Sequence, residues 1–309
     1  MTERFTFQPS LRFDYYNILD KAYLAPRLSL SYAFDELTTL RAVWGQYYQS
    51  PGYEKLRDQG TLYDLSDIYT STLVAEKATH YVLGVERWLT GEWSIRVEGY
   101  YKDFDHLYTE QVVRGDRFYA EPIPGKDPRY ASGWTLPATF TDDSLTQIPI
   151  NGSYGEAYGV EFFLSKKSNF LENRFSGWLS YTLAYADRYE NGITYPFRFD
   201  QRHTINFVLN YQVNNWLELG IRWQYGSGFP ISNPQGVKPR ILLEDQDLNG
   251  TPETPVIATR NINNNGGENP VIFDVDFADR KLNSRKPIYH RLDFRINAFA
   301  RWWDLDWTF

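Results

Sequence analysis

The chain has 309 residues, a formal net charge of −7 and a pI near 5.3. This acidic balance, with no basic stripe, argues against nucleic acid as a partner. No run approaches about 18 consecutive apolar residues, which excludes transmembrane helices, and the lack of cysteine excludes disulfides and cysteine nucleophiles. A mean hydropathy of −0.53 still permits a membrane barrel, because alternating strands average out to polar.

Apolar and polar residues alternate with a period of two along most of the chain, which predicts about eleven strands and no helix of useful length. In the clearest strand, Ile95 and Val97 share one face with Trp93, while Arg96 and Glu98 share the other. The apolar faces fall, in chain order, within Phe5–Phe13, Leu28–Phe34, Leu40–Trp44, Tyr81–Val85, Trp93–Tyr101, Tyr158–Leu164, Leu179–Tyr185, Ile205–Tyr211, Leu217–Tyr225 and Leu292–Ala298, and a last strand begins near Asp306.

The connections between these predicted strands alternate in length. Short turns and long loops at opposite ends are typical of outer-membrane barrels, whose long loops are extracellular and whose short turns are periplasmic. A soluble sandwich or propeller is the alternative, but such long structureless loops are unusual in a compact soluble domain. The short ones are Asp35–Thr38, Leu89–Glu92, Lys166–Arg174, Val213–Asn215 and Trp302–Asp304; the long ones are Asn17–Ala25, Gln49–Glu76, Asp103–Asn151, Asp187–Asp200 and Gly226–Pro287.

Several stretches resemble the TonB-dependent outer-membrane receptors, and their order and spacing carry the resemblance. They are Ala25–Tyr32, Thr39–Gly45, Tyr154–Glu161, Gly177–Thr182, Phe197–Thr204, Tyr225–Pro230 and Arg291–Arg295. The resemblance implies an all-β, transmembrane antiparallel β-barrel of about 22 strands, closed by an N-terminal plug. We therefore expect residues 1–309 to be the C-terminal part of such a barrel domain, about 11 of the expected 22 strands. The plug, the segment that contacts TonB and the signal peptide are expected to lie outside this chain.

The resemblance also implies a function, a location and partners. The function is active import, driven through TonB, of a scarce solute such as a siderophore–iron complex, with no enzymatic activity. The location is the bacterial outer membrane, and the partners are membrane lipid, the protein's own plug, the TonB complex and a small molecule or metal chelate. A passive, porin-like channel is the alternative. We also expect the 309-residue chain to aggregate when expressed alone, because unpaired strand edges are not tolerated in hydrocarbon.

A mixed set of charged residues falls on the polar strand faces, which a barrel turns toward its lumen. By the resemblance, these side chains dock the plug through ion pairs and hydrogen bonds that break during transport. The alternative is ordinary solvation of a wet wall. The set comprises Arg96, Glu98, Glu161, Arg222, Arg291, Asp293 and Arg295.

One acidic loop has the spacing of the first half of a calcium-binding loop. Asp245, Asp247 and Asn249 stand two apart, and a glycine follows them. The twelfth position, which normally supplies a bidentate Glu, holds Val256, although Asp274 or Asp276 could act as distant ligands. A solvated turn is the alternative, and no other cofactor is expected.

Aromatic residues in the long loops are candidates for a ligand vestibule, since stacking suits siderophores, vitamins and glycans alike. The candidates are Tyr47, Tyr48, Tyr53, Tyr108, Tyr130 and Trp134, with Tyr63, Tyr69, Phe118 and Tyr119 nearby. His80 falls on a lumen face, where contact with a plug is favoured over a metal. Asp200 and His203 could form an acid–base pair, the alternative being a hydrogen bond at the rim.

Overall fold

A computed structural model describes residues 4–51, 71–168, 174–244, 254–261, 267–277, 282–302 and 305–308. Within them the chain is built of strands, with one short 3-10 turn at Ala131–Gly133. No helix in these segments is long and apolar enough to span a membrane. The strands are β1 Phe5–Tyr16, β2 Lys21–Ala33, β3 Thr38–Gln49, β4 Glu76–Trp88, β5 Trp93–Tyr119, β6 Ala138–Lys166, β7 Phe175–Glu190, β8 Ile193–Pro196, β9 His203–Asn214, β10 Leu217–Gly226, β11 Pro230–Ile231, β12 Pro234–Pro239, β13 Ile241–Glu244, β14 Thr254–Ile257, β15 Phe273–Phe277, β16 Ser284–Arg285, β17 Tyr289–Trp302 and β18 Leu305–Thr308.

The main sheet has 12 strands, and its order follows the chain from β1 to β7, then β9, β10, β17 and β18, with β8 attached to β7. The pairs whose register is defined are all antiparallel. Along this path β1 and β18 are end strands and do not pair with each other. The prediction of an all-β, partial antiparallel barrel with about eleven consecutive strands is therefore confirmed.

The two faces of the sheet differ in chemistry. The face that we call outer exposes large apolar side chains, for example Leu11 at 66%, Leu83 at 69% and Phe294 at 73% of their surface. An apolar area of this size is not stable in water, so we expect this face to contact lipid. The opposite, inner face bears the polar side chains, including Arg96 and Glu98, because successive residues of a strand point to opposite sides.

The connections differ from the prediction at three places. The connection after β1 is a short turn at residues 17–20, because strand pairing continues to Tyr16 and Lys21. The loop predicted over Asp103–Asn151 is mostly strand, since β5 runs to Tyr119 and β6 starts at Ala138. The segment predicted as a loop from Gly226 to Pro287 contains three nested two-stranded sheets, β11–β16, β12–β15 and β13–β14. Their alternation is too short, or too interrupted by proline, to be recognised as strands.

The chain separates into two compact units. The first comprises Met1–Thr109, Ile148–Ile231 and Ser284–Phe309 and contains the membrane-spanning part of the sheet. At its predicted extracellular end, the buried residues Leu19, Leu73, Ala75 and Tyr108 form a small cluster.

The second unit comprises Glu110–Gln147 and Ser232–Asn283. It is held together by contacts between its two segments. The side chain of Glu268 accepts hydrogen bonds from the amide and hydroxyl of Ser132, both at 2.8 Å, and the rings of Trp134 and Phe273 lie 6.1 Å apart.

Candidate functional site

The charged residues predicted to face the lumen lie on the inner face in two groups. The first group is on β3–β5, where Arg41 pairs with Glu86 at 2.8 Å and Arg96 lies 3.6 Å from Glu98. Arg96 also stacks over the ring of Phe163 at 5.3 Å, which links β5 to β6. In this group every basic side chain has an acidic neighbour.

The second group lies on β10 and β17, far along the sheet from the first. Arg222 stands directly opposite Asp293 in the strand register, and Asp293 accepts a hydrogen bond of 2.8 Å from Arg291. Arg295 lies 3.0 Å from Glu218 and donates to Asn210 at 3.2 Å.

Glu161 lies on the strand next to the first group, two residues before Phe163, whose ring Arg96 contacts. It stands on β6 opposite Thr182 of β7, with its side chain exposed. The predicted set is therefore divided between the two flanks of the wall. Its ion pairs are substantially exposed, so they can exchange partners at small cost.

A third inner-face group, which the sequence analysis did not identify as a unit, lies nearer the predicted extracellular end. Strand register aligns Arg27 with Gly45, Gly45 with His80, and His80 with Lys102. The Tyr47 ring lies 4.4 Å from the Arg27 guanidinium carbon and 4.4 Å from the His80 ring centre. Only the pairing of four strands brings these residues together, so spacing along the sequence could not reveal them.

A recess of about 250 Å³ in the first unit shares Tyr47 with this group. Tyr47 and Tyr48 line one side, and Phe104 and Phe197 line another with their rings in edge contact at 5.7 Å. Two larger grooves lie elsewhere, on the outer face, and their linings are almost entirely apolar. Those two grooves fit lipid chains, whereas the recess combines aromatic and charged side chains.

The other predicted vestibule aromatics have mainly structural contacts. Tyr108 is 5% exposed, and its hydroxyl donates to the Val74 carbonyl at 2.7 Å, so a ligand could reach it only if the cluster opened. Burial raises the pKa of the Tyr108 phenol. In the second unit, Trp134 donates to the Pro128 carbonyl at 2.7 Å, and Tyr130 stacks with Arg129. Tyr53, Tyr63 and Tyr69 lie outside the described residues.

Asp200 and His203 have separate partners rather than each other. The Asp200 carboxylate is fully buried and binds Arg285 and, at 3.2 Å, Arg202. It also accepts the Ala186 amide at 3.1 Å. The His203 ring instead lies 3.0 Å from the Tyr181 hydroxyl. These contacts favour the structural role at the rim over acid–base chemistry.

Arg285 extends this contact across the base of the long connection between β10 and β17. Its guanidinium donates to the Asp200 and Gly228 carbonyls at 2.9 and 3.1 Å. We call Asp200, Arg202 and Arg285 the rim triad. Because β11 and β16 pair beside it, the triad holds together the points where the chain leaves and re-enters the first unit.

The calcium prediction rests on Asp245, Asp247 and Asn249, which lie outside the described residues. Its two proposed distant ligands have other partners, since Asp274 accepts from Arg240 at 3.0 Å and Asp276 from Lys238 at 2.9 Å. The Arg240 guanidinium lowers the pKa of the Asp274 carboxyl. The described parts of the chain contain no cluster of three or more His, Asp or Glu that could hold a metal ion.

An apolar outer face, a polar inner face and a meander of strands that follows the chain define the wall of a bacterial outer-membrane β-barrel. A family model described as "TonB dependent receptor-like, beta-barrel" matches residues 1–306. The chain therefore belongs to the TonB-dependent receptor β-barrel family, which is a family of transporters and not of enzymes. A search of curated proteins found no match.

Solved structures share this fold at low sequence identity. The siderophore receptor PirA from Acinetobacter baumannii is similar with a TM-score of 0.55 at 12% identity, over 96% of this chain and 37% of that one. The FrpB iron transporter from Neisseria meningitidis is similar with a TM-score of 0.52 at 13% identity, over 96% of this chain and 36% of that one. The outer membrane transporter YddB from Escherichia coli is similar with a TM-score of 0.52 at 10% identity, over 96% of this chain and 37% of that one. This chain thus spans little more than a third of the length of these relatives.

Proposed function

We propose that this chain is part of the barrel wall of an outer-membrane transporter that imports a scarce solute, with energy supplied through TonB. Its membership of the receptor family, over residues 1–306, is the observation that carries the proposal. The solute that we propose is an iron chelate, because two of the similar structures are described as a siderophore receptor and an iron transporter.

The inner face supports contact with a plug domain. Its ion pairs, such as Arg295 with Glu218 and Arg291 with Asp293, join side chains that retain much of their exposure. Exposed pairs contribute only about 0–1 kcal/mol each. A plug could therefore exchange hydrogen bonds with this wall and be released from it without a large energetic barrier.

A passive channel is the competing function, and the two differ in conductance. A plugged transporter reconstituted in a planar bilayer should show no steady current, whereas a porin-like channel should conduct continuously. The complete receptor is the protein to test, with and without its plug. A steady current from the intact receptor would reject active transport, and current only after removal of the plug would support it.

Growth under iron limitation tests the proposed solute. Deletion of the gene should slow growth when a single ferric chelate is the iron source, and a copy of the complete gene should restore it. If deletion leaves growth and iron content unchanged with every chelate tested, the solute is not an iron chelate.

A further inference from the structure

The second unit contains a two-stranded ribbon, β12 and β15, with an exposed apolar face. Val237 of β12 stands opposite Val275 of β15 in the register, and Phe273 and Phe277 project from the same side of β15. These four side chains, in the order given, expose 61%, 50%, 36% and 52% of their surface. A contiguous, exposed apolar face is a mark of an interaction surface.

The two edges of this ribbon differ in what blocks them. β12 has a proline at each end, Pro234 and Pro239, with a lysine between them, and these residue types protect an exposed strand edge from further pairing. β15 contains neither type. Within the described residues β15 pairs with β12 alone, since the nearby bridge between Tyr130 and Pro270 ends before β15 begins. The edge of β15 is therefore the one that can accept another strand.

The register shows which backbone groups lie on that edge. The Arg240 amide donates to the Ile272 carbonyl at 2.8 Å, and hydrogen-bonded pairs alternate with non-bonded pairs along an antiparallel ladder. Every second residue from that point, namely Phe273, Val275 and Phe277, therefore turns its amide and carbonyl away from β12. Among the described strands these groups have no ladder partner, and such an edge is a template for a further strand.

The sequence of β15 reads the same in both directions, Phe-Asp-Val-Asp-Phe. If two copies pair antiparallel about Val275, Phe273 of each copy lies beside Phe277 of the other, and Val275 lies beside its own counterpart. Aromatic and β-branched cross-strand pairs stabilise a sheet. A two-fold dimer requires a self-complementary patch, and a palindromic strand supplies one. The palindrome therefore favours a second copy of this chain over a strand of another protein.

The charged face of the ribbon is compatible with this pairing. The same register sets Asp274 of one copy opposite Asp276 of the other, and like charges directly opposite are unfavourable. Each acid already has a cation on its own ribbon, since Asp274 accepts from Arg240 at 3.0 Å and Asp276 from Lys238 at 2.9 Å. The two ribbons therefore bring equal numbers of carboxylates and cations to the interface.

We propose that β15 is a dimerisation strand, through which two copies of the receptor join their ribbons into one antiparallel, four-stranded sheet. The two-fold axis passes through Val275. This inference goes beyond the proposed function, because self-association requires no assumption about the imported solute or the source of energy.

Disulfide cross-linking of the complete receptor in isolated outer membranes tests this arrangement. Val275→Cys places two thiols at the axis, where the Cα atoms of a hydrogen-bonded antiparallel pair lie about 5.5 Å apart, within the range of a disulfide. Mild oxidation should convert most of this variant into a covalent dimer. This chain has no cysteine of its own, and the wild-type receptor oxidised in parallel supplies the background.

Val237→Cys is the matched control, because it introduces the same thiol on the same exposed face. In the proposed dimer the two copies of residue 237 stand three strand spacings apart, about 14 Å, which is beyond the reach of a disulfide. This variant should therefore remain at the background level.

A second pair of variants measures association without cross-linking. Val275→Lys sets two ammonium groups against each other at the axis, and it should lower the dimer fraction by at least about threefold, because like charges in contact oppose association. Val237→Lys adds the same charge away from the axis and should leave the dimer fraction within about twofold of wild type. Single-molecule photobleaching of labelled receptors in proteoliposomes counts the copies, and heat modifiability on gels shows that both variants fold.

The inference is overturned if Val275→Cys gives no more dimer than Val237→Cys, or if the wild-type receptor bleaches in single steps at every density. A cross-link from Val275→Cys to a different protein would also overturn it, because a foreign strand would then occupy the edge. Monomers in which the amides of Val275 and Phe277 resist hydrogen exchange would show that the receptor's own chain covers β15, and the dimer would again be rejected.

Discussion

The rim triad should control the local stability of the long connection between β10 and β17. Asp200→Asn keeps the size of the side chain but removes the negative charge that Arg202 and Arg285 share. Breaking a buried ion pair costs about 3–5 kcal/mol. Both arginines are about a third exposed, at 35% and 33%, so solvent recovers part of that cost. We expect a net loss of about 2–4 kcal/mol in local stability.

Hydrogen exchange of the complete receptor measures this loss at single amides. The Ser227 amide donates to the His203 carbonyl, and the Lys286 amide donates to the Phe229 carbonyl, both at 2.9 Å. Both bonds lie beside the triad. A loss of 2–4 kcal/mol should accelerate exchange at both amides by about 30- to 700-fold, since about 1.4 kcal/mol corresponds to a factor of ten.

The control is Asp293→Asn, which removes the same charge from the exposed pair with Arg291. It should change exchange at Ser227 and Lys286 by less than a factor of about five, because exposed ion pairs contribute about 0–1 kcal/mol. Unchanged exchange at both amides in Asp200→Asn would refute the assigned role of the triad.

Three smaller predictions concern single contacts. Gly159→Ala should destabilise the receptor by about 1–3 kcal/mol, because the new Cβ would lie 2.4 Å from the Leu183 carbonyl oxygen. Gly115→Ala is the control, because a Cβ at that position meets nothing within 4 Å. Equal melting temperatures of the two variants would contradict the prediction. Tyr108→Phe should cost about 1 kcal/mol, seen as a lower urea midpoint, because the hydrogen bond to Val74 is lost. In the folded protein, the hydrogen bond from Arg240 lowers the pKa of the Asp274 carboxyl. The ion pair therefore stabilises the fold above the usual aspartate pKa of about 3.9, and this stabilisation is lost as the pH falls through the lowered pKa of the folded state. A carboxyl titration by NMR should show that Arg240→Gln raises this pKa, and an unchanged value would reject the pairing.

The strand faces could be predicted from the sequence because they depend on local alternation alone. Trp93, Ile95 and Val97 are separated from Arg96 and Glu98 by the geometry of any extended chain. The short turns at one end follow equally from local sequence. The extended β5–β6 pair could not be predicted in this way, since its pairing partners stabilise residues whose own pattern is irregular.

The site depends on register, which one sequence does not specify. Arg27 and His80 become neighbours only because β2, β3 and β4 pair at particular positions. Asp200 and Arg285 are separated by 85 positions, and no spacing rule joins them. The sequence shows the motif around Asp200. Its role at the base of the long connection becomes evident only from the structure, in which Arg285 of β16 binds the Asp200 carboxylate.

Uptake of a radiolabelled ferric chelate tests the central claim most directly. Cells that express the complete receptor are compared with otherwise identical cells that lack TonB, and with cells treated with a protonophore. The proposed function predicts accumulation against a gradient in the first cells only, with loss of uptake in both of the others. Equal uptake in all three would contradict it and would identify the barrel as a passive channel.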